Sequence, residues 1–257
     1  MEDRSALVTG AAGGIGEAVV RTLAERGVRV AALDVNTARL SESVGRLRAE
    51  GLRVTGVSVD VTSSADVERA VPEAEESVGP LDYLVNAAGV LRLGEARKLT
   101  DEDWAETFRV NATGVFYMSR AVVNRMVPRG GGAVVTIASN AAGTARAEMA
   151  AYAASKAAVS AFTRCLGLEV AQFGIRCNLV APGSTDTPML HGMHDGDMAV
   201  RASVTGTPSA FRVGIPLGKV ARPHDVADAV AFLLSDEASH ITLHSLTVDG
   251  GATLGVH

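Results

Sequence analysis

The chain has 257 residues, of which 47% are hydrophobic and 21% charged, with a formal net charge of −5. This balance excludes a disordered chain, and the acidic surplus argues against a nucleic-acid partner, which would need a basic face. The two cysteines, Cys165 and Cys177, build no disulfide framework and are expected to be buried apolar residues in a reducing compartment.

The chain opens on Met1-Glu2-Asp3-Arg4-Ser5 and a five-residue apolar stretch, which does not read as a signal peptide. No run of ~20 apolar residues is free of charge, so no membrane partner is expected and the location is read as cytoplasmic. Short β-branched runs predict strands at 6–9, 28–34, 53–59, 81–85, 133–137, 176–180 and 243–248. Most are apolar on both faces, which suits buried parallel strands. Between them lie helical spacings such as Ala18, Val19, Thr22, Leu23 and Val226, Ala229, Val230, Leu233. Thr100 with Asp103 predicts a capping box. Pro223 suits a first helical turn, and Gly27 and Gly51 suit C-terminal caps. The alternation predicts one α/β domain over 1–257, doubly wound around a mostly parallel seven-stranded sheet with helices on both faces. From Thr185 to about Pro216 the alternation breaks, which predicts a mobile substrate lid at about 185–216.

After the first strand comes Thr9-Gly10-Ala11-Ala12-Gly13-Gly14-Ile15-Gly16. The spacing is T-G-x-x-x-G-x-G. Gly10 permits a tight turn, Gly14 lets the backbone approach a pyrophosphate, and Gly16 lets helix and strand pack closely. The helix N-terminus then offers free N–H groups and the positive end of its dipole. Asp34 ends the second strand, where an acid binds the ribose hydroxyls of NAD and repels the extra phosphate of NADP. Ala11, Ala12, Gly13 and Val35 offer no offsetting cation, and Arg39 is expected on a solvated helix face. The cofactor is therefore predicted to be NAD. Asp60-Val61 has two readings, beside the adenine or as a helix N-cap. Asn86-Ala87-Ala88-Gly89 either lets the cofactor lie against the strand end or makes a tight turn.

Tyr152 and Lys156 are spaced i, i+4 on one helix face. A tyrosine with its pKa near ~10 is a poor base at neutral pH. A cation at ~4 Å is expected to lower that value by up to ~3 units before desolvation opposes it. Tyr152 then becomes a plausible proton acceptor. Ser139 ends the fifth strand and can hold a substrate oxygen beside it. Asn111 lies in the helix between the fourth and fifth strands, where its poor propensity hints at a role such as holding a water near Lys156.

Together these residues resemble the short-chain dehydrogenase/reductase family over the whole chain. The matching elements are Thr9-Gly10-x3-Gly14-Ile15-Gly16, Asn86-x-Ala88-Gly89, Asn111, Ser139, Tyr152-x3-Lys156 and Pro182-Gly183, with Ala87 where the family more often has a second Asn. The resemblance implies a Rossmann fold and a homotetramer, the latter with the turn from Asp249 onward near an interface. It implies that Ser139 positions substrate, Tyr152 is the general acid/base, Lys156 binds the nicotinamide ribose and lowers the tyrosine pKa, and Asn111 supports a proton relay. Cofactor contacts are expected at Gly10, Gly14, Ile15, Gly16, Asp34, Asp60, Val61, Asn86, Ala88, Gly89, Tyr152, Lys156, Pro182, Gly183, Thr185 and Thr187.

The strings 84–94, 176–187, 214–223, 238–243 and 248–255 are similar to dehydrogenases of dihydroaromatic carboxylic acids that supply catechols to siderophores. That implies oxidation of a cyclohexadiene carboxylate bearing ring hydroxyls. The substrate carboxylate needs a cation, for which Arg92 and Arg146 are the candidates. Met189 is a further substrate contact, and Met193 and Phe211 line the same insert. A substrate with an amine in place of the C2 hydroxyl stays open, as does a non-catalytic dinucleotide sensor. A 3-oxoacyl-thioester reductase is disfavoured by Asp34. His191, His194, Asp195 and Asp197 could ligate a metal but have no ordered frame, and no metal is expected.

Overall fold

The computed structural model describes residues 1–193 and 196–255. Its first half runs β1 (Ser5–Thr9), α1 (Gly14–Glu25), β2 (Arg29–Asp34), α2 (Thr37–Ala49), β3 (Val54–Ser58), α3 (Ser64–Val78) and β4 (Tyr83–Asn86). Then follow α4 (Asp101–Phe108), α5 (Gly114–Met126), β5 (Gly132–Ile137), α6 (Ala150–Val170) and β6 (Ile175–Pro182). The chain continues through α7 (Pro188–His191), α8 (Gly196–Thr205) and α9 (Pro223–Leu234) to β7 (Ser245–Val248).

The seven strands form one sheet in the order β3-β2-β1-β4-β5-β6-β7, and every pairing is parallel. Side chains alternate across a strand. Ala6, Val8, Val30 and Ala32 therefore face one layer, with Val19 and Leu23 of α1, Leu40 and Val44 of α2, and Val226 and Val230 of α9. Leu7, Ala31, Leu33 and Leu84 face the other, with Val67 and Val71 of α3 and Met118 and Val122 of α5. Both faces of the inner strands are covered, which is why β1, β2, β4, β5 and β6 run largely apolar, while the edge strands β3 and β7 carry polar residues. Burying each large apolar side chain contributes about 1.5–3 kcal/mol.

Local signals explain the helix ends. Thr100 accepts the Asp103 N–H at 3.0 Å and donates its hydroxyl to the Asp103 carboxylate, a variant of the expected box. Pro223 occupies the first turn of α9. Gly27 and Gly51 take left-handed φ just past α1 and α2. Asp60 does not cap α3. Ser63 does, accepting the Asp66 N–H at 3.2 Å. Asp60 instead closes an Asx turn on the Thr62 N–H at 2.9 Å.

Two further expectations are corrected. Cys177 is buried in β6, and burial pushes its thiol up to about 12, but Cys165 is exposed on the outer face of α6. Phe211 is 92% exposed at a positive φ of 55° and does not join the insert's pocket residues. The insert itself is structured. It holds α7 and α8, an antiparallel bridge between Thr207 and Arg212, and a parallel bridge from Thr185 to Ala221. Among the described residues no helix is long and apolar enough to cross a membrane.

Candidate active site

The strand order reverses direction of growth at β1 and β4, so a crevice opens at their C-terminal ends. Thr9 closes its floor. Its hydroxyl oxygen accepts the Ala87 and Ala88 N–H groups at 3.1 and 3.2 Å. Gly10, at φ +67°, sits so close to this second loop that a Cβ would lie 2.7 Å from the Ala88 nitrogen. A side chain on Gly16 would collide with the Gly10 carbonyl oxygen. Gly14 differs: at φ +57° its nearest neighbour would be Thr187 Cγ2 at 3.4 Å, so its cleft side is open. The N-cap of α1 is Gly13, which has no side chain to occupy the first N–H groups. An open glycine and uncapped donors fit a pyrophosphate.

The cleft has a volume of about 530 Å³, ample for a dinucleotide with a small ligand. Gly10, Gly14, Ile15, Gly16, Asp34, Asp60, Val61, Ala88, Gly89, Pro182, Gly183, Thr185 and Thr187 all line it, as do Ser139, Tyr152 and Lys156. The Asp34 carboxylate accepts the Ala12 and Asn36 N–H groups at 3.0 and 2.8 Å, which fixes its direction. Asn86 is not brought to the cleft. Its amide donates to Ser119 Oγ at 3.0 Å inside the layer between sheet and helices, and its Oδ1 is buried without a partner. Arg39 is exposed as expected but stands over the cleft mouth, 3.0 Å from where a Gly13 Cβ would be.

At the other end, Tyr152 and Lys156 lie on α6 and Ser139 on the turn after β5, all buried. Asn111 is 0% exposed inside a single π turn, Arg109–Thr113, between α4 and α5. Its side chain exchanges hydrogen bonds with the Val90 main chain at 2.8 and 2.9 Å and donates to Ser155 Oγ at 3.0 Å. The wider turn lets a side chain leave the helix line, a frequent device at sites. A Cβ on Gly89 would stand between Asn111 Oδ1 at 3.4 Å and Lys156 Nζ at 3.5 Å. Gly89 thus keeps open the gap where those two groups converge.

The electrostatics differ from the expectation. Burial raises the Tyr152 pKa, and only the neighbouring Ser139 hydroxyl opposes it. Lys156 does not lower it in the chain alone. Its Nζ lies 5.7 Å from the tyrosine ring centre and donates to the Ile137 carbonyl at 2.8 Å. Burial pulls the Lys156 amine itself down to about 8. The site holds an acid kept neutral beside a cation easily discharged.

The two arginines part company. Arg92 is exposed and bidentate to Glu106, at 2.9 and 3.1 Å, and does not reach the cleft. Arg146 does reach it, half-buried. Arg212 stands there too, unforeseen because it comes from a segment 66 residues further along the chain. Burial lowers the pKa of both, and the Arg212 charge lowers that of Arg146 further. The one sequence signal was an arginine set between apolar neighbours, Phe211 and Val213. Met189, Met149 and Met193 supply apolar lining. Of the metal candidates, His194, Asp195 and the Asp197 side chain lie outside the described residues, and His191 contacts Asp186 at 2.7 Å.

Comparison with known proteins agrees with this geometry. A family profile described as enoyl-(acyl carrier protein) reductase matches residues 10–253. The chain is 51% identical over 256 residues to 2,3-dihydro-2,3-dihydroxybenzoate dehydrogenase of Bacillus subtilis, covering 100% of this chain and 98% of that one. It is 42% identical over 248 residues to the Escherichia coli protein of the same name, covering 96% of each. A gluconate 5-dehydrogenase from Burkholderia cenocepacia, solved with NADP and tartrate, superposes with a TM-score of 0.91 at 32% identity, covering 100% of this chain and 97% of that one. The chain belongs to the short-chain dehydrogenase/reductase family of oxidoreductases.

Proposed function

We propose that this protein oxidises 2,3-dihydro-2,3-dihydroxybenzoate to 2,3-dihydroxybenzoate with NAD, feeding a catechol siderophore pathway. The observation that carries the reading is the half-buried Arg146, in no ion pair among the described residues, at the same end of the cleft as Ser139 and Tyr152. The names of the Bacillus and Escherichia relatives support the same substrate.

The residues divide the work. Bound NAD supplies a hydride acceptor. Gly10, Gly14, Ile15 and Gly16 with the α1 N-terminus hold its pyrophosphate, and Asp34 takes the adenosine ribose hydroxyls. Asp60 and Val61 border the adenine, while Ala88, Gly89, Pro182, Gly183, Thr185 and Thr187 flank the rest. Ser139 holds the substrate C3 oxygen. Tyr152 Oη accepts the C3 hydroxyl proton as the carbon loses hydride. Lys156 would bind the nicotinamide ribose, and its charge together with that of the oxidised nicotinamide would have to overcome the burial that keeps Tyr152 neutral in the chain alone. Asn111 holds the Val90 main chain and the Gly89 gap in place for a proton relay. The resulting dienone moves a ring proton to oxygen and becomes aromatic, which draws oxidation forward.

Asp34 argues for NAD, although the Burkholderia structure carries NADP. On this reading the chain is a single domain whose 185–216 segment closes over the substrate, and it works as a cytoplasmic homotetramer. The test follows NADH and NADPH formation with purified enzyme on the dihydrodiol acid and on its C2-amino analogue. Faster turnover of the diol acid with NAD supports the assignment. Faster turnover of the amine moves the protein to 3-hydroxyanthranilate synthesis. Dinucleotide binding without turnover on either would leave a sensor.

A further inference from the structure

We propose that Arg146 and Arg212 form a two-arginine clamp that takes the substrate carboxylate and rejects ring acids carrying an ammonium group beside it. The proposal rests on the oxidoreductase reading for its ligand class, and it adds the residue and the charge rule that select within that class.

Arg146 comes from the loop between β5 and α6, and Arg212 from the insert between β6 and α9. Both line the main cleft near Ser139 and Tyr152, and both line a small polar cavity behind it with Asn140, Ser184 and Ser203. Among the described residues, the other partly buried arginines all have partners. Arg21 binds Glu50, Arg29 binds the Asp3 carbonyl, and Arg176 binds the carbonyls of Leu233, Leu234 and Ser235. Among the described residues, Arg146 and Arg212 have neither a side-chain hydrogen bond nor an ion pair. Two like charges facing one space repel, and desolvation strengthens that repulsion. A carboxylate between them relieves both effects, with two planar donor forks available to grip it.

Among the described residues, the carboxylates that line or adjoin the cleft are hydrogen-bonded or paired elsewhere. Asp249 lies near Arg146, but its carboxylate accepts the Gly251 N–H, the Thr253 N–H and hydroxyl, and the Asn140 amide. Glu106 is bidentate to Arg92. Asp34 and Asp60, the other carboxylates on the cleft, belong to the adenosine end. A substrate ammonium would therefore face two guanidinium groups and, among the described residues, no carboxylate open to pair with it directly. A hydroxyl at the same ring position carries no such penalty.

Calorimetry on the full-length enzyme loaded with NADH tests this. The probes are trans-2-hydroxycyclohexanecarboxylate, trans-2-aminocyclohexanecarboxylate and neutral cyclohexane-1,2-diol. The hydroxy acid should bind at least about tenfold tighter than the amino acid, and Arg146→Gln and Arg212→Gln should each weaken it by about ten- to a hundredfold. Diol affinity should not change. Without ligand, Arg212→Gln should raise the melting temperature because the repulsion is gone, whereas loss of a merely structural residue would lower it. Arg212→Lys keeps the charge and should recover part of the affinity. Equal binding of hydroxy and amino acids, or unchanged hydroxy-acid affinity in both Gln variants, would overturn the clamp. Tight, arginine-dependent hydroxy-acid binding with no turnover of the dihydrodiol acid would leave the clamp standing and remove the dehydrogenase assignment instead.

Discussion

The two ends of the cleft are built on opposite plans. At the dinucleotide end the side-chain polar groups are already held: Asp34 accepts two main-chain N–H groups and Thr9 two more, Gly10 and Gly16 are fixed by contact with backbone, and only the first N–H groups of α1 are left open. At the substrate end the polar groups wait. Tyr152 is held neutral, Lys156 has one carbonyl, and Arg146 and Arg212 have no hydrogen-bond or ion-pair partner among the described residues. The first plan fixes a shape for a ligand that is always the same. The second stores unfavourable charge that only the right ligand relieves, at the expense of the empty fold's stability.

The sharpest way to break this contrast is Tyr152→Phe. It removes the proposed proton acceptor and leaves the packing, so kcat for NADH formation should fall by about 10²–10⁴ while dinucleotide affinity holds. Lys156→Met probes the stored charge directly. At pH 7 the amine is protonated in both folded and unfolded chains, so the folded state carries a burial cost on the order of 3 kcal/mol for a shift from 10.5 to about 8. The variant should unfold at higher denaturant at neutral pH and be inactive. Its advantage should shrink as pH rises from 8 to 10.5, because the wild-type folded state sheds its proton first. Equal midpoints at pH 7 would mean that Lys156 is not strained.

The dinucleotide end should respond through shape. Gly16→Ala meets the Gly10 carbonyl and should destabilise by about 1–3 kcal/mol, read by thermal unfolding. Gly14→Val, at the open position, should weaken dinucleotide binding more than it lowers the melting temperature, apart from the backbone strain of its positive φ. Asp34→Asn keeps an acceptor for one main-chain N–H but drops the charge. With Arg39 at the cleft mouth, it should move the NAD:NADP ratio of kcat/KM toward NADP by about tenfold, roughly 1.4 kcal/mol. The smallest effect belongs to Arg92→Gln. An exposed ion pair with Glu106 contributes about 0–1 kcal/mol, and KM for the acid should stay within about twofold.

The same division governs what could be read from sequence. The glycine turn, Asp34, Ser139 and the Tyr152–Lys156 pair were legible because their constraints are local: a φ value, a strand end, a helical spacing. Asn111 was singled out by its poor propensity, but its π turn was not, since that turn answers to the main chain of Val90 across the cleft. Arg92 misled because its partner, Glu106, sits on another element, and charge pairing across elements leaves no spacing to read. Arg212 was invisible for the converse reason. Its function depends on meeting Arg146 far along the chain. Asn86 was right for the motif, yet its side chain serves the interior.

The interlock of Gly10 with Ala87 and Ala88 also bears on the order of assembly. β1 pairs with β2 through a short crossover, but its other neighbour, β4, is separated from β2 in the chain by two more helices and a strand. Ala6 must find Tyr83 across that interval, and such long-range closure is the slow kind. The nucleotide groove is finished at that moment and not before, since one wall is the β4 loop itself. Dinucleotide added during refolding should therefore act late, slowing the undocking of β4 more than it hastens its arrival.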